Sequence, residues 1–315
     1  MGGLEGSPGE FDLIARIRSA TRTSDRVAIG IGDDCASIRR LGAPDMLVTT
    51  DMLMDGRHFR LDQTTPEQVG HKALAVNLSD IAAMAGIPLA AVVAVALPRD
   101  RASRIAEGLQ AGISALAEKF EVDLVGGDTN AWDGPLVISI TVLGEATTKG
   151  PVRRSGARSG DLVFVTGPLG GSLLGRHLTP LPRILEALAL HELVPISAMI
   201  DLSDGLASDL SHILEESGGL GAVLDPMSIP IHADALIQSR DDGRPALDHA
   251  LTDGEDFELC FSVAPEYAER LEAQPIEGLT LFRVGAIIAQ PGLFVLDPAQ
   301  RKIPWLSRGF DHLRR

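Results

Sequence analysis

Apolar and polar positions fall into short runs whose period changes along the chain. "DMLVTTDMLM" (45–54) reads as a strand. From Pro66 to Ala85, Val69, Ala73, Val76, Ile81 and Met84 recur at helical spacing, with Thr65 and Pro66 as the start signal. The apolar run "LAAVVAVALP" (89–98) predicts a buried strand, and residues 101–119 carry Ile105, Leu109, Ile113 and Leu116 on one helical face. A short strand "VDLV" then leads into a glycine turn, and "LVISITVLGEA" (136–146) closes this half.

The Gly-, Ser- and Arg-rich stretch "TTKGPVRRSGARSGD" (147–161) is the expected junction. Beyond it "LVFVTGPLGGS" is an extended segment entering a second glycine turn, which could offer backbone N–H groups to phosphate. "SAMIDLSDGLASDLSHILEESGG" reads as strand, turn and helix, with Leu206, Leu210, Ile213 and Leu214 on one face and Gly218 and Gly219 at the end. "FELCFSV" (257–263) and "LTLFRVGAII" (279–288) are further strands around a short helix from Pro265. Both halves alternate helix and strand, which predicts an α/β (α+β) protein of two domains, 1–148 and 149–315.

Composition narrows the function. The chain has 315 residues, 45% of them hydrophobic and 4% aromatic, as in an ordinary globular protein. Its 43 acidic against 28 basic residues give a formal charge of −15, which excludes nucleic-acid binding by simple attraction to phosphates. No apolar run nears the ~20 residues of a membrane span, and the N-terminus has no signal-like core. Cys35 and Cys260 have neither metal nor disulfide spacing, so a cytoplasmic setting is expected.

Carboxylates nevertheless gather beside Gly, Ser and Thr in "GDDCA" (32–36), "TTDMLMD" (49–55), "NLSD" (77–80), "VGGDTN" (125–130) and "IDLSDGLASD" (200–209). A solvated turn accounts for Asp33 and Asp34, and helix capping for Asp201, Ser203 and Asp204. Neither accounts for Asp80, set among Ala, Leu, Ile and Met in mid-helix, where an ionised carboxylate is costly unless paired or bound to a cation. If these segments converge, hard cations must sit between them, and an all-oxygen set suits Mg²⁺. An EF-hand is disfavoured, since counting Asp201 as loop position one puts His212 at position twelve. Zinc is disfavoured because the histidines show no paired spacing. Magnesium on a few carboxylates completes its shell with water and substrate phosphates, which points to nucleotide phosphoryl chemistry. Walker and protein-kinase motifs are absent, and the four lysines (72, 119, 149, 302) are scattered. Arg153, Arg154 and Arg158 are the clustered cations left to meet ATP, or form a solvated basic junction.

In order, "GEFDLIARI", "GIGDDCA", "TTDMLMDGRHF", "KALAVNLSDIAAMAG", "VGGDT", "RRSGARSGDLVFVTG", "PLPRI", "IDLSDGLASDL", "DGEDFELCF", Trp305 and "RGFDH" run from residue 9 to 312. This set resembles the thiamine-monophosphate kinase family, part of the superfamily of aminoimidazole ribonucleotide synthetase and selenophosphate synthetase. The resemblance implies an N-terminal α/β domain that pairs into a dimeric β-barrel, a C-terminal α/β domain, and a cytoplasmic homodimer. It implies transfer of phosphate from ATP to thiamine monophosphate with several Mg²⁺ ions. It places metal ligands at Asp34, Thr49, Thr50, Asp51, Asp80, Asp128, Asp201 and Asp204, of which Asp128, Asp201 and Asp204 are the catalytic carboxylates. ATP contacts fall on Gly127, Asp128, Arg154 and Ser203, and substrate contacts on His58, Glu255 and Phe310. The stretch between "GGSLLG" and "PLPRI" is shorter than the family pattern, so a helix or loop is expected to be missing beside the site. Another ATP-using enzyme of the superfamily, or a non-catalytic Mg-nucleotide scaffold, would share most of these features.

Overall fold

The computed structural model describes residues 10–274 and 276–305. Its first sheet contains β1 (Val27–Ile29), β2 (Ala36–Arg40), β3 (Ala43–Met54), β4 (Ile87–Pro98), β5 (Asp123–Trp132) and β6 (Val137–Glu145), in the order β1-β2-β3-β6-β4-β5. Only β4 and β5 pair in parallel, joined by a helical crossover. Helices α1 (Glu10–Ala20), α2 (Pro66–Ala83) and α3 (Ala102–Lys119) belong to this half.

The second sheet contains β7 (Leu162–Val165), β8 (Ala198–Asp201), β9 (Gly221–Leu224), β10 (Leu259–Val263), β11 (Phe282–Ile288), β12 (Gly292–Leu296) and β13 (Lys302–Pro304). Its order is β13-β12-β9-β11-β7-β10-β8. Helices α4 (Ile184–Leu193), α5 (Leu206–Glu216), α6 (Ala233–Asp242), α7 (Ala246–Thr252) and α8 (Pro265–Ala273) accompany it. Residues 146–161 connect the two sheets and include the 147–161 stretch expected as a junction. Among the described residues no helix is long and apolar enough to cross a membrane.

Helix α2 is the element that positions the site. Thr65 caps it through a reciprocal capping box with Gln68, and Pro66 occupies the first turn, where its missing N–H costs nothing. Leu74, Leu78, Ile81 and Met84 are fully buried. The helix packs on α3, β3 and β6 of its own half and on α4 and β8 of the other. Its crossing with α3 is so close that a Cβ on Gly112 would stand 1.9 Å from the Glu67 carbonyl oxygen. One core accordingly runs through both halves, from Leu47, Leu74 and Ile138 to Phe164, Met199 and Phe261. A second core lies under α5 and α7, around Leu206, Leu210, Ile213, Val163 and Cys260.

Two local expectations need correction. The expected glycine turn at 126–127 is not a turn: β5 runs straight through it, with Gly126 and Gly127 paired to Val92 and Val93. A Cβ on Gly127 would lie 2.0 Å from the Val93 carbonyl oxygen, so the glycine serves close strand approach. Strand β4 is only partly buried, because Ile87 and Leu89 lie exposed on a sheet face that none of the described residues covers.

Gly127→Ala should therefore force β5 away from β4 and destabilise the fold by about 1–3 kcal/mol. Urea unfolding checks this, and an unchanged midpoint would mean that the edge strand adapts without loss.

Candidate active site

Three carboxylates from distant parts of the chain meet in one buried space. Asp34 leaves the loop after β1, Asp80 the last turn of α2, and Asp201 the end of β8. One oxygen from each lies within 4.8 Å of the others. Strand alternation delivers Thr49 to the same side, where its hydroxyl donates to Asp80. Ser79, one residue before Asp80, donates to Asp201 at 2.6 Å. Asn77 latches α2 to β3 by accepting the Asp51 N–H at 3.0 Å and donating to the Ala73 carbonyl. Arg154 donates to Asp34 through Nε at 3.2 Å and Nη2 at 2.5 Å, while its backbone N–H binds Asp33 at 3.1 Å.

The electrostatics follow from crowding and lost solvent. Burial, then the neighbouring Asp34 charge, pushes Asp201 up to about 7. Burial and Asp34 likewise push Asp33 up to about 6. Asp80 is driven well above the carboxylate range by burial and by Asp51 and Asp201. Burial opposes the charge on Arg154, but the Asp34 carboxylate outweighs it and holds the guanidinium ionised. Among the described residues, Asp34 Oδ2 is a buried oxygen with no hydrogen-bond partner. An orphaned carboxylate oxygen beside two more carboxylates suits a hard divalent cation.

The remaining expected residues fall at varying distances from this centre. Asp51 adjoins it on β3, and Ser203 and Asp204 lie in the turn after β8. The Thr50 hydroxyl is on the opposite sheet face, bonded to Thr141 at 3.0 Å and to the Ile140 carbonyl. Gly127 and Asp128 sit on exposed β5, three strand spacings or about 14 Å of sheet from β3, and Asp128 accepts from Asn130 at 2.8 Å. His58 and Glu255 form a second focus: Lys72 Nζ donates to the His58 carbonyl and to Glu255 Oε1, both at 2.7 Å. Phe310 lies outside the described residues. Arg153 and Arg158 are exposed.

The second glycine turn does not offer its N–H groups to a ligand. Gly170 donates to Asp256 at 3.0 Å, and Gly171 to Asp253 at 3.3 Å. Sequence reasoning also passed over Asp209, whose buried carboxylate accepts the Asp204 and Gly205 N–H groups at 3.1 and 3.0 Å and so anchors the Ser203–Asp204 turn. It passed over Lys72, Asn77 and Ser79 as well. The signal for all three was polarity on an apolar helix, the argument already applied to Asp80.

A raised carboxyl pKa means that the folded state holds the proton more tightly than the unfolded chain. The contribution of Asp201 to stability is thus full below about pH 4 and lost as pH rises through about 7. In chelator, Asp201→Asn should gain stability relative to the unmutated chain as pH rises from about 4 to 7, with the gain level above that. Thermal unfolding of both across that range tests this, and a constant difference between them would overturn it.

Comparisons with known proteins place the chain in a family. The family model "AIR synthase related protein, N-terminal domain" matches residues 32–146. Thiamine-monophosphate kinase of Rhodopirellula baltica is 44% identical over 310 residues, covering 96% of this chain and 97% of that protein. That of Salmonella typhimurium is 38% identical over 329 residues, covering 96% and 98%. A solved structure, AaThiL complexed with AMPPCP and TMP, matches with a TM-score of 0.83 at 30% identity over 97% of both chains. The hydrogenase maturation protein HypE in complex with ATP, 17% identical with a TM-score of 0.69 over 86% of this chain and 88% of that one, shares the fold alone. With near-complete coverage at 44% identity, this chain belongs to the thiamine-monophosphate kinase family.

Proposed function

We propose that this chain transfers the γ-phosphoryl group of ATP directly to thiamine monophosphate, giving ADP and thiamine diphosphate. The observation that carries the reading is the Asp34–Asp80–Asp201 cluster with its orphaned oxygen, in a chain of this family. The likeness to AaThiL, which holds AMPPCP and TMP, supports ATP and thiamine monophosphate as the two ligands.

The acceptor is a phosphate monoester with a second pKa near ~6, so at pH 7 its attacking oxygen is already largely ionised and needs no general base. The barrier is the approach of two anions. Magnesium, when bound, would neutralise facing phosphate oxygens. Asp34, Asp80 and Asp201 would hold it, with Thr49, Asp51 and Asp204 as further ligands; Asp128, about 14 Å of sheet away on β5, would serve a separate ion, and the Thr50 hydroxyl, on the opposite sheet face, would not reach the cluster. Gly127, Asp128, Arg154 and Ser203 would meet ATP. His58, Glu255 and Phe310 would meet the thiamine portion. His58 Nδ1 accepts the Met54 N–H at 3.0 Å, which puts the neutral ring's proton on Nε2. A ring in that tautomer donates at Nε2, so positioning suits it better than proton removal.

The assay is incubation with ATP, Mg²⁺ and thiamine monophosphate, with thiamine and an aminoimidazole ribonucleotide precursor as controls. Thiamine diphosphate is the expected product, and turnover of the aminoimidazole precursor alone would overturn the reading. Asp80→Asn keeps the shape while removing the charge, and should lose activity by ~10²-fold or more with the fold retained. Near-normal turnover of this variant at limiting Mg²⁺ would make Asp80 structural.

We also propose that residues 1–148 form the dimerisation and nucleotide domain and 149–315 the domain that completes the site. Strand β5 is an outer strand exposed on both faces, and Met52, Leu89, Val125 and Trp132 leave apolar surface on the same sheet. Pairing with a second copy would cover that edge and face. The two isolated, buried cysteines fit a reducing cytoplasm. Light scattering at micromolar concentration should give a dimer, and a monomer would exclude the pairing.

A further inference from the structure

Lys72 has a fully buried side chain, at 0% exposure, although lysine is among the residues most rarely buried. Its ammonium joins two elements that the sequence keeps far apart. One is the loop after β3, through the His58 carbonyl; the other is the turn before β10, through Glu255 Oε1. Glu255 stands at φ +52°, with Gly254 and Phe257 also left-handed, a conformation a non-glycine residue holds only when its surroundings enforce it. The Glu255 N–H donates to the Ser203 carbonyl at 2.7 Å, which ties this strained turn to the metal-side turn.

We propose that Lys72, anchored on the His58 carbonyl, is a positioning residue that presents Glu255 to the thiamine portion of the acceptor, a role that rests on the functional reading above. The pair is asymmetric: Lys72 is sealed from solvent while the Glu255 side chain remains 22% exposed. A buried ion pair adds little net stability over well-packed apolar residues, so stability alone does not explain a lysine here. Its ammonium fixes one Glu255 carboxylate oxygen, so the part of the group that stays exposed is held in one orientation. A cationic thiazolium or the amino group of an aminopyrimidine is a chemical match for such an anion. Burial pulls the Lys72 pKa down, and Glu255 opposes this.

Lys72 and Asp80 are eight residues apart on α2, hence about 12 Å apart along its axis and roughly a quarter-turn apart around it. One rigid helix therefore fixes the spacing between the acidic cluster and the Glu255 focus, as a substrate with phosphate at one end and a heteroaromatic body at the other requires. The short segment after "GGSLLG" closes on this end: His71 Nε2 meets the Pro180 carbonyl at 2.8 Å, and His177 Nδ1 the Ser172 carbonyl at 2.9 Å.

The test is steady-state kinetics of the full chain, Lys72→Met, Glu255→Gln and the double variant, each checked for folding by thermal unfolding. Lys72→Met should raise KM for thiamine monophosphate by about tenfold or more, with KM for ATP nearly unchanged. The double variant should match Glu255→Gln alone, because Lys72 acts through Glu255. A folded Lys72→Met with normal KM for thiamine monophosphate, or with both KM values raised together, overturns the role. If Lys72→Met fails to fold because Glu255 is left unpaired, the double variant decides, since it removes both charges. Equality with Glu255→Gln then supports the role, and a further loss overturns it. A wild-type chain inactive on thiamine monophosphate would sink the functional reading and this role with it, whereas wild-type turnover beside an unaffected Lys72→Met sinks the role alone.

Discussion

Like charge confined in a small dry space is the constraint on which this molecule is built. Asp34, Asp80 and Asp201 offer oxygens within 4.8 Å of one another, and at that range repulsion in a low-dielectric interior exceeds anything a hydrogen bond returns. The fold handles the charge in graded ways. Arg154 neutralises Asp34 on one side, hydroxyls from Thr49 and Ser79 bind Asp80 and Asp201, and burial drives the latter two towards their protonated forms. A divalent cation would relieve all three together, and the same ion is what two approaching phosphates need.

That constraint explains why so much of the chain converges on α2. A carboxylate held against repulsion needs a rigid support, and a helix buried on nearly every side supplies one. Its capping box fixes where the helix starts, Gly112 lets α3 approach closely, and Asn77 pins β3 in register with it. The register matters because alternation sends Thr49 to the cluster and Thr50 to the opposite face. The two halves share a core around this helix, so α2 links the halves as well as supporting the site.

Much of this was legible in the sequence, for identifiable reasons. Long elements with a clean period, β3, α2, α3 and β6, were found at nearly their observed limits. The acidic segments were recognised because Asp80 violates the pattern of its own helix. What escaped depended on distant partners. "VGGDTN" reads locally as a turn, and only the parallel approach of β4 makes its glycines part of a strand. "GPLGGS" reads locally as a phosphate loop, and only Asp253 and Asp256, more than eighty residues later, occupy its N–H groups. Lys72, polar on an apolar helix, carried a local hint of a special role, but its partner Glu255 lies 183 positions later.

The balance of magnitudes shows why such a centre is tolerated. Raising one carboxyl from 3.8 to about 7 disfavours its ionised form by roughly 4 kcal/mol. Burying one leucine-sized side chain returns about 1.5–3 kcal/mol, as an upper estimate, and α2 buries Leu74, Leu78, Ile81 and Met84 completely. The apolar burial along the helix can thus offset the cost of ionising Asp201. Burial and crowding push Asp80 and Asp201 towards their protonated forms, and a cation bound there would displace those protons. Metal affinity and protonation would therefore be linked through these two side chains, and the helix that carries Asp80 sets how much repulsion the fold can hold.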